Sequence, residues 1–384
     1  MTAVEGSRDL RIDALRGACV IAVVLYHVCS WSVLPAFEGG GYPVAAVWDT
    51  VNKALGSTRM PVLLALSGLL ASRRIRLGWQ AREPFTRAFG LFYLYTLWLA
   101  VLAVTYLALD ALATESTVPH HVGGVAVARE LVLPTTPLWF LWALGVYTLV
   151  LAACARLRPH TVLVTLTLVS LLTSVFLQDA SLASKVPQYF VFFAAGVYLG
   201  PRLWPRLVAM RGSVLLALVV VLVGLRAVSA MSLPPAATAP LLLVEGCVAI
   251  AAGAGVVARI ARSSMSTRPL VAVGSRTFAV YVLHLPVALA LYTLAYARPG
   301  WFAERWGQLL ELPVWCAVAP LAVTALVVAL SCAVHAGAMR WGGAFLFEPP
   351  SWVDALAERV RPGATVPPAS VGRREPISGK DRIR

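Results

Sequence analysis

Two ionisable residues on one apolar stretch are the first candidates for chemistry. Ten apolar or small residues separate Arg16 from His27. At about 100° per residue an eleven-residue step returns to nearly the same helix face, roughly 16 Å further along the axis, so both side chains are predicted to look into one seam. A neutral imidazole there suits general-base work on a hydroxyl, and a guanidinium suits an anionic ligand. Each has a structural alternative. Arg16 also fits an interfacial anchor paired with Asp13, and His27 a helix-to-helix hydrogen bond.

Other side chains carry the same ambiguity. His284, followed by Pro286, divides between core hydrogen bonding and lining a reaction channel, with Tyr281 one turn earlier. Arg59 fits an acceptor contact or an anchor at the mouth of the second apolar run. Trp139 and Trp142 fit an aromatic belt or a platform for stacking a sugar. Arg226 and Glu245 fit a mutual ion pair, or an acceptor site that Glu245 or Arg226 lines. Ser67 has no base nearby, and beside Gly68 it reads as small-residue helix packing rather than as a nucleophile.

These residues need helices in a bilayer to hold them. The 384-residue chain is 59% hydrophobic and 13% charged, and its apolar runs reach or approach the length that crosses about 30 Å of hydrocarbon. The expected fold is an all-α, polytopic membrane bundle of about ten helices. They run over 14–34, 60–71 (extended back to 54), 85–109, 138–155, 161–177, 187–199, 213–230, 239–258, 270–296 and 313–336. The first run is expected to persist as a helix rather than be cleaved as a signal.

The net charge of +14 is topological rather than a nucleic-acid footprint. With ten spans, arginines 73, 74, 76, 82 and 87 fall on one side with 156 and 158, 202 to 211, 259 to 268 and the basic tail. The positive-inside rule then puts both termini in the cytoplasm of a multi-pass cell-membrane protein, with lipid as its surroundings. Residues 1–345 form the membrane domain, and 346–384 read as a cytoplasmic, partly disordered tail whose stretch 341–357 fits an interfacial segment. The six cysteines lack metal-ligand spacing, so no metal and no bound cofactor are expected. No P-loop, GxSxG elbow, HExxH or dinucleotide fingerprint occurs.

The run Ile12-Asp13-Ala14-Leu15-Arg16-Gly17, followed by Tyr26-His27, resembles the amino-terminal motif of the acyltransferase-3 family of integral-membrane O-acyltransferases. Three later stretches are similar to that family in the expected order: Arg59 to Leu69 with its Ser67-Gly68, Leu138-Trp139-Phe140-Leu141-Trp142, and Gly274 to His284. The resemblance implies an acyl-CoA donor on the cytoplasmic side and transfer to a hydroxyl, often of a carbohydrate, at the outer face. It makes His27 the catalytic base and Arg16 its partner. The chain departs from the family's Arg-x-x-Arg pattern at the third span, where Arg87 is followed by Gly90; Arg73 or Arg74 is left to supply the second cation.

Arg73, Arg74 and Arg87 lie on the side suited to nucleotide phosphates, with ordinary topology charge as the alternative. From there the pantetheine arm of acyl-CoA, with acetyl-CoA the expected co-substrate, has to thread towards His27. A proton-coupled transporter or exporter using His27, His284 and Glu245 is the alternative function, disfavoured by the lack of a repeat.

Overall fold

The computed structural model describes residues 9–34, 43–113, 124–177, 182–231, 233–261 and 264–362. Every regular element among them is helical. Helix α1 (Leu10–Val28) is capped by the Asp9 carboxylate, which accepts from the Arg11 amide at 3.0 Å. It continues as a π-helical turn over Cys29–Val33. Then come α2 (Pro43–Ile75), α3 (Arg82–Asp110), the short α4 (Gly124–Glu130), α5 (Trp139–Ala153) and α6 (Pro159–Phe176). The second half holds α7 (Lys185–Tyr198), α8 (Gly200–Val208), α9 (Gly212–Ser229), α10 (Pro235–Ile260), α11 (Ser264–Gly274), α12 (Thr277–Tyr292), α13 (Trp301–Leu310), α14 (Pro313–Arg340) and α15 (Ser351–Val360).

Nine described helices are long and apolar enough to cross a membrane. Their outer faces are hydrocarbon: Leu168, Phe176, Leu216, Val223 and Leu321 are all more than half exposed, which in water would be untenable and in lipid is the solvated state. Two expectations change. The sixth run forms α7, whose 14 residues cover only about 21 Å. The ninth is not one helix: the chain turns at Ser275-Arg276, making α11 a separate helix from the span Thr277–Ala297. Residues 343–360 do not trail away from the bundle. Trp98 donates its indole N–H to the Leu346 carbonyl at 2.7 Å, and α15 packs on α3. The rest of the basic tail, from residue 363, lies outside the described residues.

Glycines set the closest helix crossings. A Cβ on Gly68 would stand 2.1 Å from the Phe193 carbonyl, and one on Gly196 would stand 2.0 Å from that of Ala65, so α2 and α7 touch backbone to backbone. That is the packing expected of Ser67-Gly68. Arg76 adds a cap, donating to the Val197 and Tyr198 carbonyls at the end of α7. A second crossing joins α1 to α11. Here a Cβ on Gly17 would fall 2.1 Å from the Leu270 carbonyl, and one on Gly274 would fall 1.8 Å from that of Asp13.

Candidate active site

Ten residues beyond Gly17 on the first helix is His27, and ten beyond Gly274 is His284. The two segments climb side by side from the glycine contact, and the imidazole centres meet 5.2 Å apart. Both rings are withdrawn from the surface, His27 at 7% and His284 at 0% exposure. Trp31, on the π-helical turn after α1, lies 4.5 Å from the His27 ring, and a second π-helical turn, Thr293–Ala297, follows α12. Such turns recur near functional sites because they shift side chains off the helical register.

His284 Nδ1 stands 3.1 Å from the Val280 carbonyl. Two acceptors do not bond each other, so Nδ1 carries the hydrogen and donates it. That leaves Nε2 as the basic nitrogen, with no hydrogen-bond partner among the described residues.

His27 opens on a cavity of about 330 Å³ whose walls include Tyr26, Arg59, Trp139, Lys185, Tyr189 and Tyr281. Its upper wall is pinned in stages. The buried Glu130 carboxylate accepts from the amides of Thr135 and Thr136 at 2.7 and 2.9 Å, fixing the loop before α5. The Tyr281 hydroxyl donates to the Pro137 carbonyl at 2.5 Å, and Trp139 then stacks on Tyr189 with ring centres 6.0 Å apart. Tyr281 therefore offers the cavity its ring, while its hydroxyl is committed to the loop.

A second cavity, about 420 Å³, lies towards the end of the bundle where Arg16 sits. Arg74, Arg82, Arg87 and Thr86 line it together with Pro349 and Asp354 from the carboxyl-terminal segment. Arg87 is close enough to Arg74 and Arg16 for their charges to repel. Arg16 itself is partly buried and stands 3.8 Å from Asp13. The two cavities share no lining residue, and between the ends α1 buries Val20, Val23 and Val24.

Several of the other candidate residues lie apart from these two cavities. Arg73 is exposed and does not line the arginine cavity; Arg82, one helix on, does. At Gly90, where the resemblance implies a second arginine, a Cβ would meet Pro349 Cγ at 2.8 Å. Trp142 lies off the His27 cavity, its indole N–H held by the Leu131 carbonyl at 3.0 Å. Glu245 also lies off it. Its carboxylate is fully buried, 3.0 Å from Arg226 Nη1 and 2.7 Å from the Ser229 hydroxyl that donates to it. His284 packs behind His27 rather than on the wall.

Lys185 and Tyr189 were not foreseen on the cavity wall. Their signal was weak: a lysine opening an apolar run, with a tyrosine one turn later. Pro349 and Asp354 were hidden by the reading of the segment as tail, although Glu348-Pro349-Pro350-Ser351 is a helix-entry pattern.

No curated protein and no solved structure matches the chain. A family model described as an acyltransferase domain matches residues 9–334, from the residue that caps the histidine helix to the last turns of α14, and on that match the chain belongs to the acyltransferase-3 family.

Proposed function

We propose that this membrane acyltransferase moves an acyl group from acyl-CoA, bound at the arginine cavity, to a hydroxyl of a carbohydrate bound in the His27 cavity. The observation that carries the reading is the buried imidazole of His27 on a cavity walled by aromatic rings, since such rings suit the apolar faces of a sugar and the Arg59 and Lys185 side chains on the same wall suit its oxygens. His27 takes the proton of the acceptor hydroxyl as its oxygen attacks the thioester carbonyl. The C–S bond breaks, and the imidazolium returns the proton to the departing thiolate. Arg16 supports the donor side, where Arg74, Arg82 and Arg87 match phosphate oxygens.

The arginine-rich end faces the cytoplasm by the positive-inside rule, and the His27 cavity faces outward across the cell membrane. Arg16 and His27 stand about 16 Å apart along α1, so the extended pantetheine arm has to part side chains between the two cavities. The test is acyl transfer in proteoliposomes from acetyl-CoA and from a non-CoA thioester, read as thiol release and acyl incorporation. The expected result is acceptor-dependent release from acetyl-CoA that His27→Ala abolishes while the protein stays monodisperse. Full activity in that variant refutes the assignment, and proton-coupled solute uptake without thiol release would favour transport instead.

A further inference from the structure

Two arginines are drawn into the outer half of the bundle around α2, and the fold treats them differently. Arg226 receives a buried counter-ion, Glu245, at 3.0 Å, and donates further to the Ser57 hydroxyl and the Lys53 carbonyl. Among the described residues Arg59 receives none. Its guanidinium carbon lies 4.3 Å from the centre of the Tyr26 ring, and its buried Nη1 has no hydrogen-bond partner among the described residues. A ring face attracts the charge but occupies no N–H donor in a hydrogen bond. A cation withdrawn from water without an acid to match it is costly to retain, and this one lines the His27 cavity, whose described wall holds Arg59 and Lys185 beside His27 and no acidic side chain.

Arg59 is also in reach of the chemistry. Tyr26 lies 5.0 Å from the His27 ring and 4.3 Å from the guanidinium carbon, so that carbon is no further than about 9 Å from the imidazole centre. One acceptor can therefore touch both groups at once. Donor phosphates do not account for it: Arg59 precedes Arg73 by fourteen helical positions, about 21 Å along α2.

Resting on the acyltransferase reading above, we propose that the acceptor carries an acidic group, a carboxylate or a phosphate on or beside the acylated sugar, and that Arg59 is the specificity residue that holds it. A guanidinium pairs with either oxyanion through two N–H donors. The hydroxyl is thereby presented to His27 from the opposite side of the ring, and a neutral sugar leaves the guanidinium unmatched.

The experiment measures thermal stabilisation of the detergent-purified protein by methyl glucuronoside, glucose 1-phosphate and methyl glucoside, in wild type, Arg59→Gln, Arg59→Lys and His27→Ala. Wild type and His27→Ala are expected to bind one or both anionic probes about ten- to hundredfold more tightly than the neutral one. Which anion binds identifies the source of the charge. Arg59→Gln is expected to lose that preference and Arg59→Lys to keep part of it. Equal binding of all three probes by wild type, or an anion preference that survives Arg59→Gln, overturns the proposal; if Arg59→Gln fails to fold, the wild-type ratio and Arg59→Lys decide it.

Transfer kinetics with the same probes separate the remaining roles. A KM effect confined to anionic acceptors supports the proposal, whereas an equal fall in kcat for charged and neutral acceptors moves Arg59 to the reacting carbonyl and refutes it. Arg59-dependent anion binding with no acyl transfer from any thioester would leave the anion site standing and sink the acyltransferase mechanism alone.

Discussion

Replacing Gly274 with alanine tests whether the glycine crossing sets the histidine geometry. The added Cβ would lie 1.8 Å from the Asp13 carbonyl oxygen and 2.6 Å from its carbon, where ordinary contact begins at 3.4 Å. Both neighbours are backbone, so no rotamer change relieves the clash, and the helices must part by about 1.6 Å. His27 lies ten residues beyond Gly17 on α1 and His284 ten residues beyond Gly274, past the turn and on α12, with ring centres 5.2 Å apart, and Asp13 itself stands beside Arg16. A displacement of roughly 1 Å at a reacting geometry can cost about 100-fold. Gly274→Ala is therefore expected to lower acyl-transfer turnover in proteoliposomes by about two orders of magnitude while the protein remains monodisperse. Gly224→Ala is the control: its Cβ meets nothing within 4 Å, and removing a mid-helix glycine should leave transfer unchanged and add up to about 1 kcal/mol of helix stability. Wild-type turnover in Gly274→Ala would refute the claim that this crossing fixes the site.

Three further outcomes follow from the packing. Glu245→Ala leaves Arg226 without its buried partner and is expected to cost about 3–5 kcal/mol, whereas joint replacement by Arg226→Met and Glu245→Leu should recover most of it; thermal unfolding midpoints check this, and a double variant as weak as the single one contradicts it. Gly90→Arg should dislodge Pro349, seen as faster proteolytic cleavage between residues 345 and 362 than in wild type. The third concerns pH. Burial pushes the Asp9 carboxyl up, but hydrogen bonds from Arg11 and Trp204 outweigh it and hold the group below its ordinary 3.8. Asp9 therefore contributes stability above that value and loses it as pH falls through the folded-state pKa, so wild type should lose more thermal stability than Asp9→Asn on going from about pH 5 to about pH 3.

What could be read from the sequence was whatever repeats along one helix. Most of the apolar runs and the Arg226 with Glu245 pair depend on helical period or on matched depth, and the structure keeps them. Features that depend on which helices meet were not legible. Nothing local marks Gly17 and Gly274 as partners, or brings Lys185 and Tyr189 to His27. The break at Ser275-Arg276 was masked by continuous hydrophobicity on both sides, because hydropathy reports solvent and not direction. Arg73 and Arg74 are adjacent in sequence, yet only Arg74 reaches the cavity, a difference set by the 100° between neighbours and by where α3 lies.

The segment after α14 changes how an anion would be received at the opposite end. Asp354 stands among Arg74, Arg82 and Arg87 on that wall, and Arg82 is paired with Glu358. A polyphosphate arriving there competes with carboxylates the chain itself supplies, so its apparent affinity is a difference between two attractions rather than the whole of one. Shortening the chain ahead of residue 349 would remove Asp354 and Glu358 together with the wall and leave Glu83 of α3 as the acid on the cavity, raising the pull on phosphate while loosening the vestibule that orients it.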